Sequence, residues 1–193
     1  MGLMIHSLAR VPLTTDRDYF IYLLDYGWDE PIADTLRKNF NKMAKLASEY
    51  KAVVIMGLEG SHFNNEVLSF HNINGQPGDE VLPAILITTR HPHAFRDDSS
   101  YNYRMLRENF TDRMLLIPLK KICKTPQDVV LLIEKMFNDI EQKKTLADFQ
   151  VVQELKKGKQ GALADALLLE PNFAGIGINL NSIINYLLGR DQK

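Results

Sequence analysis

The chain has 193 residues, of which 45% are hydrophobic and 24% are charged, ordinary values for a soluble globular protein with one larger domain or one domain and an appendage. Its formal net charge of −1 gives no electrostatic reason to expect nucleic acid or an acidic membrane as a partner. The single cysteine, Cys123, excludes an intrachain disulfide and a cysteine-based metal cluster.

Neither a membrane span nor a secretion signal is predicted. No stretch approaches the roughly 20 apolar residues that cross a bilayer. The N-terminal sequence MGLMIHSLARVPL lacks a basic start, a long apolar core and a small-residue cleavage site. We therefore predict a cytoplasmic protein with no nucleic-acid partner and no membrane partner.

Apolar runs and helical patterns alternate along the first 144 residues. Four short, nearly continuous apolar runs predict strands that are buried on both faces. These runs cover residues 19–26, 52–57, 84–88 and 114–119. Helical spacing or capping residues predict helices. The helices cover residues 32–47, 61–70 and 101–109, and a fourth begins at Thr125-Pro126. We expect a three-layer α/β sandwich with a central mixed sheet that is mostly parallel.

The sequence changes in character after Lys144. From Leu146 onward it predicts a helix that ends near Gly158, followed by an apolar, glycine-punctuated stretch that is mainly helical. So many apolar positions must be buried against the core, a second copy or another protein. We therefore divide the chain into an α/β domain, residues 1–144, and a mainly helical extension, residues 145–193, that packs on the core or on a partner.

One strand-to-helix corner has an unusual composition. In the sequence DYGWDEPI, which joins an apolar strand to a helix, Trp28 is followed by two acids and a proline. Pro31 suits the first helical turn because its missing N–H would be unpaired there. The helix dipole favours the charges of Asp29 and Glu30 beside a helix N-terminus. A conventional helix start is therefore one explanation of the corner.

The same corner resembles the thioredoxin-like fold, whose motif is Trp-Cys-Gly-Pro-Cys at the start of its first long helix. Trp28 and Pro31 match the tryptophan and the proline of that motif. Asp29 and Ile32 stand in place of the two cysteines, and Glu30 replaces the glycine. Because thiol–disulfide exchange needs a thiolate, the resemblance implies the fold without the oxidoreductase activity.

The resemblance covers roughly residues 17–143. It reaches Pro83, which precedes a predicted strand where thioredoxins place a cis-proline facing the corner. It implies a thioredoxin-like topology and a set of candidate residues for binding a ligand or partner. From the corner and its surroundings these are Trp28, Asp29, Glu30, Pro31 and Pro83. Another α/β sandwich with a conventional helix start is the alternative.

Two histidines follow the third predicted strand. The ends of strands in open α/β sheets often build ligand sites, so His91 and His93 are further candidate binding residues. Neighbouring imidazoles could bind a metal, although the proline between them restricts the backbone. Additional ligands could come from Asp97, Asp98, His62 and His71. A solvated polar loop is the alternative, and no metal is predicted.

Two further features allow a chemical and a purely structural interpretation. The turn at residues 57–61 is similar to a phosphate-cradling turn but lacks the Gly-Lys-Ser/Thr ending of a P-loop, and close backbone packing also explains its glycines. Cys123 lies near a predicted helix start among three lysines, which could lower its pKa. A buried structural cysteine is the alternative.

Two functions remain open from the sequence. The first is a redox-inactive thioredoxin-like protein that acts as an adaptor, sensor or regulatory subunit, binding a protein partner or a second copy through the C-terminal segment. The second is an α/β-sandwich enzyme, with or without a metal, that uses the four side chains Asp29, Glu30, His91 and His93. If those side chains line one pocket, the enzyme is favoured. We favour the binding protein, with no catalytic residue and no cofactor predicted.

Overall fold

The computed structural model describes residues 1–27, 30–58, 60–70, 73–74, 81–95, 114–157, 168–169 and 178–179. The strands are β1 (Gly2–Ile5), β2 (Tyr19–Leu24), β3 (Ala52–Gly57), β4 (Ile73–Asn74), β5 (Ala84–Thr88), β6 (Met114–Pro118), β7 (Leu168–Leu169) and β8 (Ile178–Asn179). The helices are α1 (Pro31–Lys38), α2 (Phe40–Glu49), α3 (Gly60–Phe70), α4 (Leu119–Ile122), α5 (Pro126–Glu141) and α6 (Gln150–Lys157). Short 3-10 helices lie at Leu8–Arg10, Pro92–Phe95 and Leu146–Asp148.

A six-stranded mixed sheet with the order β1-β3-β2-β5-β6-β7 forms the centre of the fold. β1 and β2 pair with β3 in parallel, whereas the pairs β2–β5, β5–β6 and β6–β7 are antiparallel. The predicted α/β class with a mixed sheet is confirmed, but the expectation of a mostly parallel sheet is wrong. The reason is that β5 begins at the edge of the sheet at which β3 ends, so β5 runs opposite to β3.

Hydrophobic cores lie on both faces of the sheet, with helices covering each face. Successive side chains of a strand point to opposite faces, so β2 supplies both cores. Tyr19, Ile21 and Leu23 are buried with residues of α1, α2, α5 and α6. Phe20, Tyr22 and Leu24 are buried with residues of α3 and the first 3-10 helix. The predicted double-sided burial of this strand is confirmed.

The predicted helix over residues 32–47 is divided into α1 and α2 at Asn39. The Asn39 side chain donates from Nδ2 to the Thr35 carbonyl at 2.9 Å, and the Thr35 hydroxyl donates to the Pro31 carbonyl at 2.7 Å. Such local side-chain bonds compete with the helical backbone pattern. The apolar spacing continues across the break, which explains why the periodicity alone predicted a single helix.

Other elements agree with the sequence or lie outside the described residues. α5 begins with a capping box in which Thr125 and Asp128 satisfy each other's backbone N–H groups, as its sequence predicts. β1 was not predicted, because four apolar residues carry no distinctive period. The predicted helix over residues 101–109 lies outside the described part of the chain.

In the C-terminal extension, the described residues 146–157 and 168–169 contact the core. Phe149 and Val152 are fully buried, and β7 pairs with β6 and buries Leu169. β8 pairs with β4 in a separate two-stranded sheet. The domain boundary near residue 144 stays a prediction.

A buried carboxylate connects α5 to α6. Asp139 is 1% exposed; its Oδ1 accepts hydrogen bonds from Lys144 Nζ at 2.8 Å and from Gln150 Nε2 at 2.9 Å. Its Oδ2 accepts a hydrogen bond from the backbone N–H of Gln150 at 2.6 Å, at the start of α6. Charge-assisted bonds of this kind compensate the desolvation of the carboxylate and fix the turn between the two helices.

We expect Asp139→Ala to lower the free energy of unfolding by about 2–4 kcal/mol, because the Gln150 N–H and the Lys144 ammonium group lose a buried partner. Urea denaturation followed by circular dichroism measures the loss. The matched control is Glu134→Ala on the same helix, which removes a half-exposed ion pair with Lys42 and should cost less than about 1 kcal/mol. Equal losses in the two variants would contradict the role of Asp139.

Candidate functional site

The candidate site is the β2–α1 corner, residues 25–31. β5 runs antiparallel to β2 with Leu24 opposite Ala84, so Pro83 stands at the edge of the sheet from which the corner emerges. The Leu82–Pro83 peptide bond is cis. The Pro83 carbonyl accepts a hydrogen bond from the Leu119 N–H at 2.9 Å, which brings the start of α4 to the same edge. Trp28 and Asp29 lie outside the described residues.

The first half of the corner is fixed by α3 and α1. The Asn64 side chain, 1% exposed, accepts a hydrogen bond from the Asp25 N–H at 3.1 Å and donates to the Asp25 carbonyl at 2.9 Å. One Asp25 carboxylate oxygen accepts a hydrogen bond from the Arg37 guanidinium group. The other accepts a hydrogen bond from the Gly27 N–H at 3.1 Å. Gly27 has φ +79°, a left-handed conformation that suits glycine.

The second half of the corner is held by an ion pair. Glu30 precedes the first residue of α1, and its carboxylate accepts hydrogen bonds from Lys120 Nζ, on α4, at 2.8 and 2.9 Å. Both side chains are about a third exposed. A pair with this exposure adds little to stability, but it presents one negative and one positive charge to solvent beside the corner.

Sequence reasoning missed Asp25, Arg37, Asn64 and Lys120. Asn64 had a usable signal, since it lies between the buried residues Phe63 and Val67 on α3, and a buried amide requires hydrogen-bond partners. Its partner is 39 positions away, so no local spacing could identify Asp25. Lys120 pairs with a residue 90 positions away and has no local signal.

We expect Asn64→Ala to lower the free energy of unfolding by about 1–3 kcal/mol, because two backbone groups of Asp25 lose their partner. Thermal and urea unfolding measure the change. Asn65→Ala is the matched control, since Asn65 is the next residue of the same helix and is exposed. An N64A variant as stable as N65A would show that the amide does not fix the corner.

His91 and His93 lie at the other end of the sheet. Thr88, the last residue of β5, pairs with Phe20 near the start of β2. The His91 ring then packs edge-on against the Phe20 ring, with centroids 5.3 Å apart. Phe20 and Leu24 are separated by about 13 Å along an extended strand. The enzyme alternative requires the two histidines to lie close to Glu30. The structure does not bring them together.

No group of three or more His, Cys, Asp or Glu side chains within the described ranges could hold a metal ion. Both ring nitrogens of His91 have partners: Nε2 lies 3.1 Å from the Pro12 carbonyl oxygen, and Nδ1 accepts a hydrogen bond from the His93 N–H at 3.3 Å. His62 is exposed on α3. The other ligands suggested by the sequence, His71, Asp97 and Asp98, lie outside the described residues.

Gly57 and Cys123 have the structural roles that were the alternatives to phosphate binding and thiol reactivity. A Cβ atom on Gly57 would stand 2.4 Å from the Phe63 Cβ, so close packing of α3 on β3 requires glycine there. Cys123 is 2% exposed. Burial, and secondarily the charge of Asp128, raises the pKa of its thiol to about 11, opposite to the lowering suggested by the neighbouring lysines.

We expect Cys123 to resist a water-soluble thiol reagent at pH 8 in the folded state, because the thiol is buried and its pKa of about 11 leaves almost no thiolate. In urea the pKa returns to about 8.5 and labelling becomes fast. With an aromatic disulfide as the reagent, the absorbance of the aromatic thiolate that it releases follows both reactions. Rapid labelling without denaturant would contradict the buried position.

Comparisons of the chain with protein families, curated proteins and solved structures find no match. Across the described ranges, none of the helices has the length and apolar character needed to cross a membrane.

Proposed function

We propose that this chain is a redox-inactive thioredoxin-like protein that binds another protein at the β2–α1 corner, as an adaptor, sensor or regulatory subunit. One observation carries the proposal: the register of β2 and β5 brings Pro83 to the edge from which the corner and Pro31 emerge. The resemblance of the corner to the thioredoxin motif implies this proximity. The six-stranded mixed sheet with helices is consistent with that fold.

The absence of redox chemistry is supported by the cysteine content. The corner sequence contains no cysteine, and the chain has only Cys123. That thiol is buried, and its pKa is raised to about 11. Thiol–disulfide exchange requires an accessible thiolate, which this residue does not supply in the folded protein.

Binding is supported by the way the corner is held. Its first residue is hydrogen-bonded to Asn64 and Arg37, and Glu30 is paired with Lys120. A surface fixed before binding loses little conformational entropy when a partner docks. The partly exposed charges of Glu30 and Lys120 favour a protein segment with complementary charges, because such complementarity selects partners and speeds association.

The C-terminal extension, residues 145–193, belongs to the same proposal as a surface for the partner or for a second copy of the chain. A shallow crevice of about 160 Å³ lies between α5 and α6 and includes Leu131, Leu132 and Val151. Leu131 is 46% exposed. A mass that doubles in sedimentation velocity at increasing protein concentration would identify a second copy as a partner of the chain.

Charge reversal at the corner tests the binding proposal. The partner is first captured from extract with the wild-type chain and purified. Its dissociation constant is then measured by calorimetry for the wild type and for the double variant Glu30→Lys/Lys120→Glu. The double variant rebuilds the ion pair with reversed polarity, so it should fold normally. Its dissociation constant should be higher than that of the wild type by about tenfold or more.

The matched control is Lys42→Glu/Glu134→Lys, which reverses the exposed pair between α2 and α5 and should leave binding unchanged. Equal affinity of the wild type and the corner double variant would overturn the proposed surface. Reduction of a disulfide substrate by the purified chain would overturn the redox-inactive assignment.

A further inference from the structure

The two ring nitrogens of His91 have partners of opposite hydrogen-bonding character. The Pro12 carbonyl oxygen, 3.1 Å from Nε2, can only accept a hydrogen bond, so Nε2 must carry a proton. The His93 backbone N–H, 3.3 Å from Nδ1, can only donate, so Nδ1 must be unprotonated. Only the neutral tautomer with hydrogen on Nε2 satisfies both contacts.

The Pro12 contact joins His91 to a segment 79 positions away, whereas the His93 contact is local and spans two residues. Pro12 belongs to the segment before β2, where its carbonyl also accepts a hydrogen bond from the Thr15 N–H at 2.9 Å. His93 belongs to the 3-10 turn Pro92–Phe95, after β5. The half-buried ring of His91 lies between them and packs against Phe20 of β2.

The surroundings of the ring disfavour its charged form. β2 contributes an uncharged Phe20 ring, and the segment before β2 contributes a carbonyl. Among the residues that the structure describes, the titratable group that faces His91 is His93, whose ring stacks on it at 5.2 Å between centroids. Burial lowers the pKa of His91, the Pro12 hydrogen bond acts in the opposite sense, and the charge of protonated His93 lowers it further.

We propose that His91, which is bound to the segment before β2, is a pH-sensitive clasp that holds the Pro92–Phe95 turn through the His93 N–H and releases that turn in mild acid. Protonation adds a hydrogen to Nδ1, which then faces the His93 N–H as a second donor, and that contact is lost. The Nε2–H continues to donate to the Pro12 carbonyl. The release is therefore selective for the turn after β5.

The direction of the pH dependence follows from the lowered pKa. The unfolded chain takes up the proton near pH 6.5, whereas the folded chain takes it up at a lower pH. The contribution of the clasp to stability is thus fully present above about pH 6.5 and is lost as the pH falls through the interval between the two pKa values.

Nuclear magnetic resonance of the full ¹⁵N-labelled chain tests the clasp. At pH 8, the imidazole nitrogens of His91 should report the Nε2–H tautomer. As the pH is lowered to 5, the exchange protection factor of the His93 amide should fall about tenfold, while that of the Thr15 amide stays constant. A His91 ring with hydrogen on Nδ1 at pH 8 would overturn the proposal, and so would an equal loss of protection at Thr15.

Two variants separate the clasp from its neighbour. In His91→Asn, the side-chain oxygen can stand in the place of Nδ1 and accept from the His93 N–H without titrating, so protection of that amide should not change with pH. In His93→Gln, the acid response should remain and move to higher pH, because a neighbouring positive charge is removed. An unchanged pH response in H91N, or a lost response in H93Q, would overturn the assignment to His91.

Discussion

The antiparallel register between β2 and β5 determines which polar side chains of this protein can meet. Leu24 lies opposite Ala84, and Phe20 lies opposite Thr88. Residues that precede β5 therefore reach the β2–α1 corner, whereas residues that follow β5 reach the segment before β2. A parallel β5 would have placed His91 at the same edge as Glu30. The direction of β5, rather than the chemistry of the side chains, therefore places His91 and Glu30 at opposite edges of the sheet.

The corner depends on the cores beneath it. α1 buries Ala33 and Leu36, which positions Arg37 next to Asp25, and α3 buries Phe63 and Val67, which positions Asn64. Because close-packed cores resist small displacements, the polar contacts of the corner are preformed. The ion pair between Glu30 and Lys120 places one negative and one positive charge on this surface. The rigidity of the corner comes from apolar packing on both sides of the sheet.

Prediction from sequence succeeded for elements that a local pattern determines. It failed for residues whose role depends on a partner far away in the chain. The buried strands β2, β3, β5 and β6 were located within two residues because an apolar run is typical of a strand covered on both faces, and α5 was located by its cap. The break at Asn39 was missed because the apolar period continues through it. Asn64 and Lys120 were missed because their partners become neighbours only through the sheet topology.

The two ends of β5 are chemically different and mechanically separate. The Pro83 end contacts the start of α4 and lies at the edge of the sheet from which the corner emerges, with the ion pair between Glu30 and Lys120. The other end leads to His91, whose pKa is lowered by burial below that of a free histidine. A change at His91 could reach Pro83 only through a shift of the strand, and a one-residue slip would turn five buried side chains of β5 to the opposite faces. If the chain binds a partner at the corner, as proposed, the acid response of His91 would change that binding where the partner also contacts the turn after β5.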